Sequence, residues 1–157
     1  MRESRLSIQQ ELIPEGRCFG CGPANERGLH LQSYRGPDYE RDGHVLMSFR
    51  PWPEHDNGLG ALNGGIIATL LDCHAGAAMM QAAADRDWLD IPNGVVYVTV
   101  NLDVRYRRPA PATRAVQGRA WATSLDESVI TIQADLYDGE TCCATSVSTW
   151  KRWRPRT

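Results

Sequence analysis

No charge of one sign dominates this chain: 17 lysines and arginines face 19 aspartates and glutamates, for a net charge of -2. That excludes a broad basic field that would recruit nucleic acid or a membrane surface. Long apolar runs are missing too. The longest, 59 to 84, is cut by Asn63, Asp72 and His74, so no membrane span is expected. The opening MRESRLSIQQELIPEG has no apolar core of the kind a secretory signal needs. There is no internal repeat and no low-complexity segment. The five cysteines are odd in number and irregularly spaced. They do not form a disulfide framework and suit a reducing compartment, so a cytoplasmic location is expected.

What is present reads as a globular chain. Its 157 residues, 42% hydrophobic and 23% charged, suit one domain with a real core. Residues 1–17 form a polar lead-in with room for a short helix ended by Pro14 and Gly16, and 18–153 form the single domain. CFGCGPANERG (18–28) is rich in turn residues, and LHLQSYR (29–35) and HVLMSFR (44–50) read as strands around the loop GPDYERDG. A loop rich in proline and glycine follows at 51–62.

Asn63 is a good helix N-cap, and the helix is expected to end near Asp85. Ile66, Ile67, Leu70, Leu71, His74, Ala77 and Ala78 recur at helical spacing and define a core stripe. Asp72 lies off that stripe on a face of mostly small residues, including Gly65, Ala68 and Gly76, where another chain or a ligand can approach closely. A buried carboxylate without a partner is costly. Asp72 therefore implies either a partner or a cleft.

Four strand-like runs come next. GVVYVTVNLDVRYRR (94–108) alternates, with Val96, Val98, Val100, Leu102 and Val104 on one side. Tyr97, Thr99, Asn101, Asp103, Arg105 and Arg107 take the other side. Short turns at LDE and DGE imply hairpins and an antiparallel sheet. The expected class is α+β, with one long helix wrapped by a curved antiparallel sheet of five to six strands.

This order resembles the hotdog-fold acyl-CoA thioesterases, nearest to their phenylacetate-pathway and THEM-type group. The resemblance runs from about Cys18 to Trp150. It rests on Asn63-Gly64-Gly65 opening the helix, Asp72 seven residues after the second glycine, and VRYRRPA with Tyr106 and Pro109. CFGCGPANERGLHL also resembles the lead-in of many bacterial members. The resemblance implies a hotdog fold and hydrolysis of an acyl- or aryl-CoA thioester, with coenzyme A as part of the substrate and no separate cofactor. It implies that Gly64 offers its N–H to the thioester carbonyl and Asp72 acts as general base or nucleophile. Asn57 matches a polar residue that helps place the water or carbonyl, and Thr99 matches a hydroxyl that assists the water. It further implies a homodimer or dimer of dimers, with glycine amide and acid supplied by different subunits. Asn63 departs from the usual histidine: its amide donates a hydrogen bond but carries no proton. That departure leaves open a second reading, a hotdog protein that binds an acyl thioester without cleaving it.

The remaining candidates keep two readings. Gly65 is a substrate contact or a tight-packing glycine, and Arg105, Arg107 and Arg108, with Arg114 nearby, are contacts for coenzyme A phosphates or a solvated edge. Asn63 is a plain N-cap, a substrate contact, or both. Asn57 is equally an ordinary turn residue, and Thr99 an ordinary strand residue. His74 reads as a packed core histidine. Cys18 and Cys21 make a C-x-x-C that lacks two further ligands for zinc, so no metal is expected and a turn with small buried thiols is the reading, with a metal-stabilised interaction protein as the alternative.

Overall fold

The computed structural model describes residues 5–156. Helix α1 (Ile8–Leu12) opens on Ser7, whose hydroxyl accepts the Gln10 N–H at 3.1 Å while Gln10 accepts the Ser7 N–H at 2.9 Å. This reciprocal cap satisfies two N–H groups that the helix itself leaves unpaired. Strand β1 (Ser33–Arg35), a one-turn helix α2 (Tyr39–Asp42) and strand β2 (Val45–Phe49) follow. The long helix α3 (Gly64–Ala84) comes next, then strands β3 (Val96–Tyr106), β4 (Val116–Leu125), β5 (Val129–Asp138) and β6 (Thr141–Trp153). The six strands form one antiparallel sheet in the order β1-β2-β4-β5-β6-β3. The expected α+β layout of one helix wrapped by an antiparallel sheet is therefore present.

Asn63 caps α3, its Oδ1 accepting the N–H groups of Gly65 at 2.8 Å and Ile66 at 3.3 Å. The helix is buried on more sides than one stripe: Cys73, Ala75, Gly76, Met79, Ala82 and Ala83 join Leu70, Leu71 and His74, while Ile66 is only half-buried. A helix apolar all round belongs inside a wrapped sheet. It is also long and apolar enough to cross a membrane, but 72% of that stretch is buried within this fold. The small-residue face was expected to admit another chain or a ligand. At Gly76 the neighbour is instead Trp150 of the same chain, 3.1 Å from where a Cβ would stand.

Three other expectations shift. The run at 29–35 pairs as a strand only from Ser33, because His30 adopts φ 53° and the Leu29 and Leu31 N–H groups bond to Phe19 and Gly20 carbonyls instead. The supposed loop at 36–43 contains α2, closed by Gly43 at φ 68°. The strict alternation of β3 is broken by a bulge between Thr99 and Asn101. An extra residue in a strand reverses which side chains face in. Before the bulge Tyr97 is buried and Val98 exposed; after it Leu102 and Val104 turn inward, and Val100 at the bulge is 50% exposed. The valines therefore do not share one face.

At the centre, His74 is fully buried and its Nδ1 meets Ser33 Oγ at 2.9 Å. Ser33 N–H donates to Gln9 Oε1 at 2.9 Å, and Gln9 Nε2 donates to Ser33 Oγ at 3.3 Å. Burial holds the His74 imidazole down at about 3, against opposition from the Gly118 and Val45 carbonyls. The ring is therefore neutral and serves packing, as expected. This network ties α1 and β1 to α3. Ser33→Ala should cost about 1–3 kcal/mol by urea denaturation, because it strips buried polar atoms of their partner. A loss within experimental error would show that the network contributes nothing to stability.

Candidate functional site

The carboxylate on α3 has a partner. Thr99 Oγ1 donates to Asp72 Oδ1 at 2.9 Å, from the last residue of β3 before the bulge. Asp72 is half-buried, and its carboxyl is pushed up by burial, opposed by the Thr99 hydrogen bond and pushed further by the neighbouring Cys18. Both residues line a cavity of about 320 Å³ whose walls include Met79, Met80, Leu89 and Trp150. An apolar wall with a few convergent polar groups is the usual form of a small-molecule site.

A second concavity, of about 480 Å³, lies at the other end of the helix. Asn57, Gly64, Tyr106, Arg107 and Arg108 line it. Loop and helix start are aligned by the Leu62 N–H on the Ala110 carbonyl at 2.9 Å and the Asn63 N–H on the His55 carbonyl at 2.8 Å. Tyr106 Oη donates to the Gly64 carbonyl at 2.7 Å. Among the described residues the Gly64 N–H has no hydrogen-bond partner, whereas Asn63 holds the Gly65 N–H. One free amide therefore stands at the positive end of a 21-residue helix. A Cβ at Gly64 would only reach ordinary contact with Tyr106, at 3.6 Å, so packing within the chain does not require glycine there.

The other expected residues divide by role. Asn57 Oδ1 accepts the Leu59 and Ala61 N–H groups at 2.8 and 3.2 Å, closing the loop turn beside Gly64. The Arg107 and Arg108 N–H groups bond to the Cys143 carbonyl at 2.8 and 3.1 Å, which fixes their backbone at the cavity edge. Arg105 is exposed on β3 and lines neither cavity, and Arg114 is paired with Asp138. Gly64 and Asp72 lie eight residues apart on one helix, a rise of about 12 Å, so a single chain does not bring amide and acid together.

Two features were not legible from spacing. Tyr106, in the sequence only the aromatic of VRYRRPA, donates its hydroxyl to the Gly64 carbonyl. Cys73 joins Cys18 and Cys21, the three sulfurs lying within 4.8 Å of one another. Cys18 is exposed, so the C-x-x-C is not simply a turn of buried thiols. Contact with the Cys21 thiol and then the Cys73 thiol holds Cys18 well below the usual thiol range. The Cys18 contact pushes Cys21 up to about 12, and Cys73 is pushed up as well, first by Cys18 and then by Cys21.

A double-mutant cycle between Thr99→Val and Asp72→Asn should return a coupling of about 1–2 kcal/mol in unfolding free energy, as for a hydrogen bond to a partly buried charge. Zero coupling would mean that the pair does not form in solution.

The sequence profile of the thioesterase superfamily matches residues 59–144, from the glycine loop through α3 to β6. Among solved structures, a phenylacetic acid degradation-related protein of Ralstonia eutropha JMP134 aligns with TM-score 0.70 at 22% identity, over 92% of this chain and 98% of that one. The E. coli PaaI protein of the phenylacetic acid degradation operon aligns with TM-score 0.59 at 15% identity, over 71% of this chain and 74% of that one. A Streptococcus mutans UA159 protein bound to acetyl CoA aligns with TM-score 0.58 at 17% identity, over 74% and 86%. No functionally curated protein matches. The wrapped helix is thus the hotdog fold that the sequence resembled, and the chain belongs to the thioesterase superfamily.

Proposed function

We propose that this protein hydrolyses an acyl- or aryl-CoA thioester to the free acid and coenzyme A, acting in the cytoplasm as a homodimer or dimer of dimers. One observation carries the reading: the two halves of the machinery hang from opposite ends of one edge strand. Thr99 holds Asp72 at one end of β3, and Tyr106 holds Gly64 at the other. β3 is an outer strand of the sheet, 11 residues long, with Val98 and Val100 40% and 50% exposed. A long exposed edge is a template for pairing with another strand. Two copies of β3 paired antiparallel about a two-fold axis through mid-strand would set Asp72 of one chain beside Gly64 of the other.

In that arrangement the thioester carbonyl accepts the free Gly64 N–H. Asp72 takes a proton from water as the water oxygen attacks the carbonyl carbon, and Thr99 orients that water. Negative charge collects on the carbonyl oxygen, where the helix dipole favours it. Collapse breaks the C–S bond and the coenzyme A thiolate leaves, taking the proton that Asp72 holds. Direct attack by Asp72 through an acyl anhydride is the other route open to the same geometry. Arg107 and Arg108 border the Gly64 concavity, where guanidinium groups suit the phosphates of coenzyme A, and Arg105 adds charge along the strand. Acetyl CoA bound to the Streptococcus mutans protein of similar fold supports the substrate class. Asn63 favours the second reading, binding without cleavage, because its oxygen is committed to the helix cap and its amide supplies no proton.

Thiol release from a panel of acyl-CoAs separates the two readings. Asp72→Ala should lower kcat by about 10²–10⁴, the usual worth of a general base. Gly64→Pro should remove the N–H and keep the helix, because proline is accepted at the first helical position. Asn63, at ψ 134°, already has the extended backbone that a residue before proline prefers. That variant should lose about 10²–10³ in kcat with its melting temperature preserved. Unchanged rates in both variants would end the catalytic reading, and tight acyl-CoA binding by a wild type that turns nothing over would establish the other.

A further inference from the structure

The thioesterase reading makes no use of Cys18, Cys21 and Cys73. Their setting is unusual for core filler. Cys21 and Cys73 are each only 6% exposed, but Cys18 is open to solvent. The three sulfurs come from two segments far apart in sequence, the loop at 18–22 and the middle of α3, and lie within 4.8 Å of one another. The Cys18 and Cys73 sulfurs are 3.7 Å apart. Zinc–thiolate bonds of about 2.3 Å in a tetrahedron put neighbouring sulfurs about 3.8 Å apart. A disulfide would need about 2.05 Å.

The loop is shaped to present these sulfurs. In C-F-G-C-G the Gly22 N–H donates to the Cys18 carbonyl at 2.8 Å, closing a tight turn. Two glycines allow the close approach. A Cβ on Gly20 would fall 2.2 Å from the Cys73 sulfur, and one on Gly22 would fall 2.4 Å from the Cys18 nitrogen. Behind the loop, the Leu29 and Leu31 N–H groups hold the Phe19 and Gly20 carbonyls at 2.8 and 3.0 Å. The turn is thus pressed onto α3 with its sulfurs converging on one point.

We propose that Cys18, Cys21 and Cys73 form a three-thiolate site for a divalent zinc ion, with water from the Asp72 cavity as the fourth ligand. All three cysteines line that cavity together with Asp72 and Thr99, so the open coordination position faces solvent that the cavity admits. Three sulfurs and no histidine select a borderline-soft cation over magnesium or calcium. The ion would fasten the loop at 18–22 to α3 at the wall of the acid-bearing cleft. The site stands independently of thioester hydrolysis, since its readouts involve no turnover.

The test uses the full chain, reduced and stripped of metal by chelator, with all five thiols confirmed free by titration. It is then titrated with zinc, and with cobalt as a coloured substitute. Wild type should bind one equivalent of zinc per chain by elemental analysis, and the cobalt form should show thiolate-to-metal charge-transfer absorption. Cys18→Ser and Cys73→Ser should each weaken binding by at least about 100-fold, the upper range for loss of a group that merely supports a ligand. Cys142→Ser, on β6 outside the cluster, should bind as wild type does. Cys18 is exposed, so its variant should fold even if the Cys73 variant does not. Reduced wild type that takes up no zinc and gives no thiolate–cobalt band, or a Cys18→Ser chain that binds as tightly as wild type, would overturn the site.

Discussion

The enclosure of α3 is the constraint on which the rest of the structure depends. The helix presents apolar or small side chains around most of its circumference, and only a sheet that curves past it on several sides can bury them all. β4 and β5 cover one flank through Val116, Ile130, Ile132 and Leu136, all fully buried. Trp150 of β6 closes over Gly76, and β3 completes the wrap at the sheet's edge. Within this apolar enclosure one carboxylate remains, and the single Thr99 hydroxyl answers it.

Close approach is the means by which the wrap works. Gly118 lies so near α3 and β2 that a Cβ there would stand 2.7 Å from Met47 and 3.0 Å from His74. Gly20 does the same for the loop that carries Cys18 and Cys21. Interiors pack as densely as organic crystals, so a single added methyl at such a point forces neighbours to move. The small residues of this chain therefore mark contacts between its own elements as much as approaches for a ligand.

The same architecture divides the candidate site. A helix rises only about 1.5 Å per residue, and an amide at its start and a carboxylate two turns on cannot meet around one carbonyl. The strand that carries Thr99 and Tyr106 is an edge of the sheet, so under the proposed function a second copy pairing there would bring the two groups together.

Local chemistry made much of this legible from residues alone. The Asn63 cap, the helix ending beside Asp85, the hairpins at 125–127 and 138–140 and the packed His74 follow from N-cap preference, 3.6-residue spacing and turn residues, all properties of neighbours along the chain. The bulge at Val100, the Trp150 lid on Gly76, the Tyr106 grip on Gly64 and the meeting of Cys73 with Cys18 were decided only in three dimensions. Each depends on which distant element arrives at a given face, and hydrophobic periodicity says that a face is buried without saying by what. The sequence by itself determined the long helix, the strands that follow it and the order of the candidate groups. The tertiary structure decided which of those groups touch, because contact between residues far apart in the chain is set by the wrap of the sheet and not by local preference.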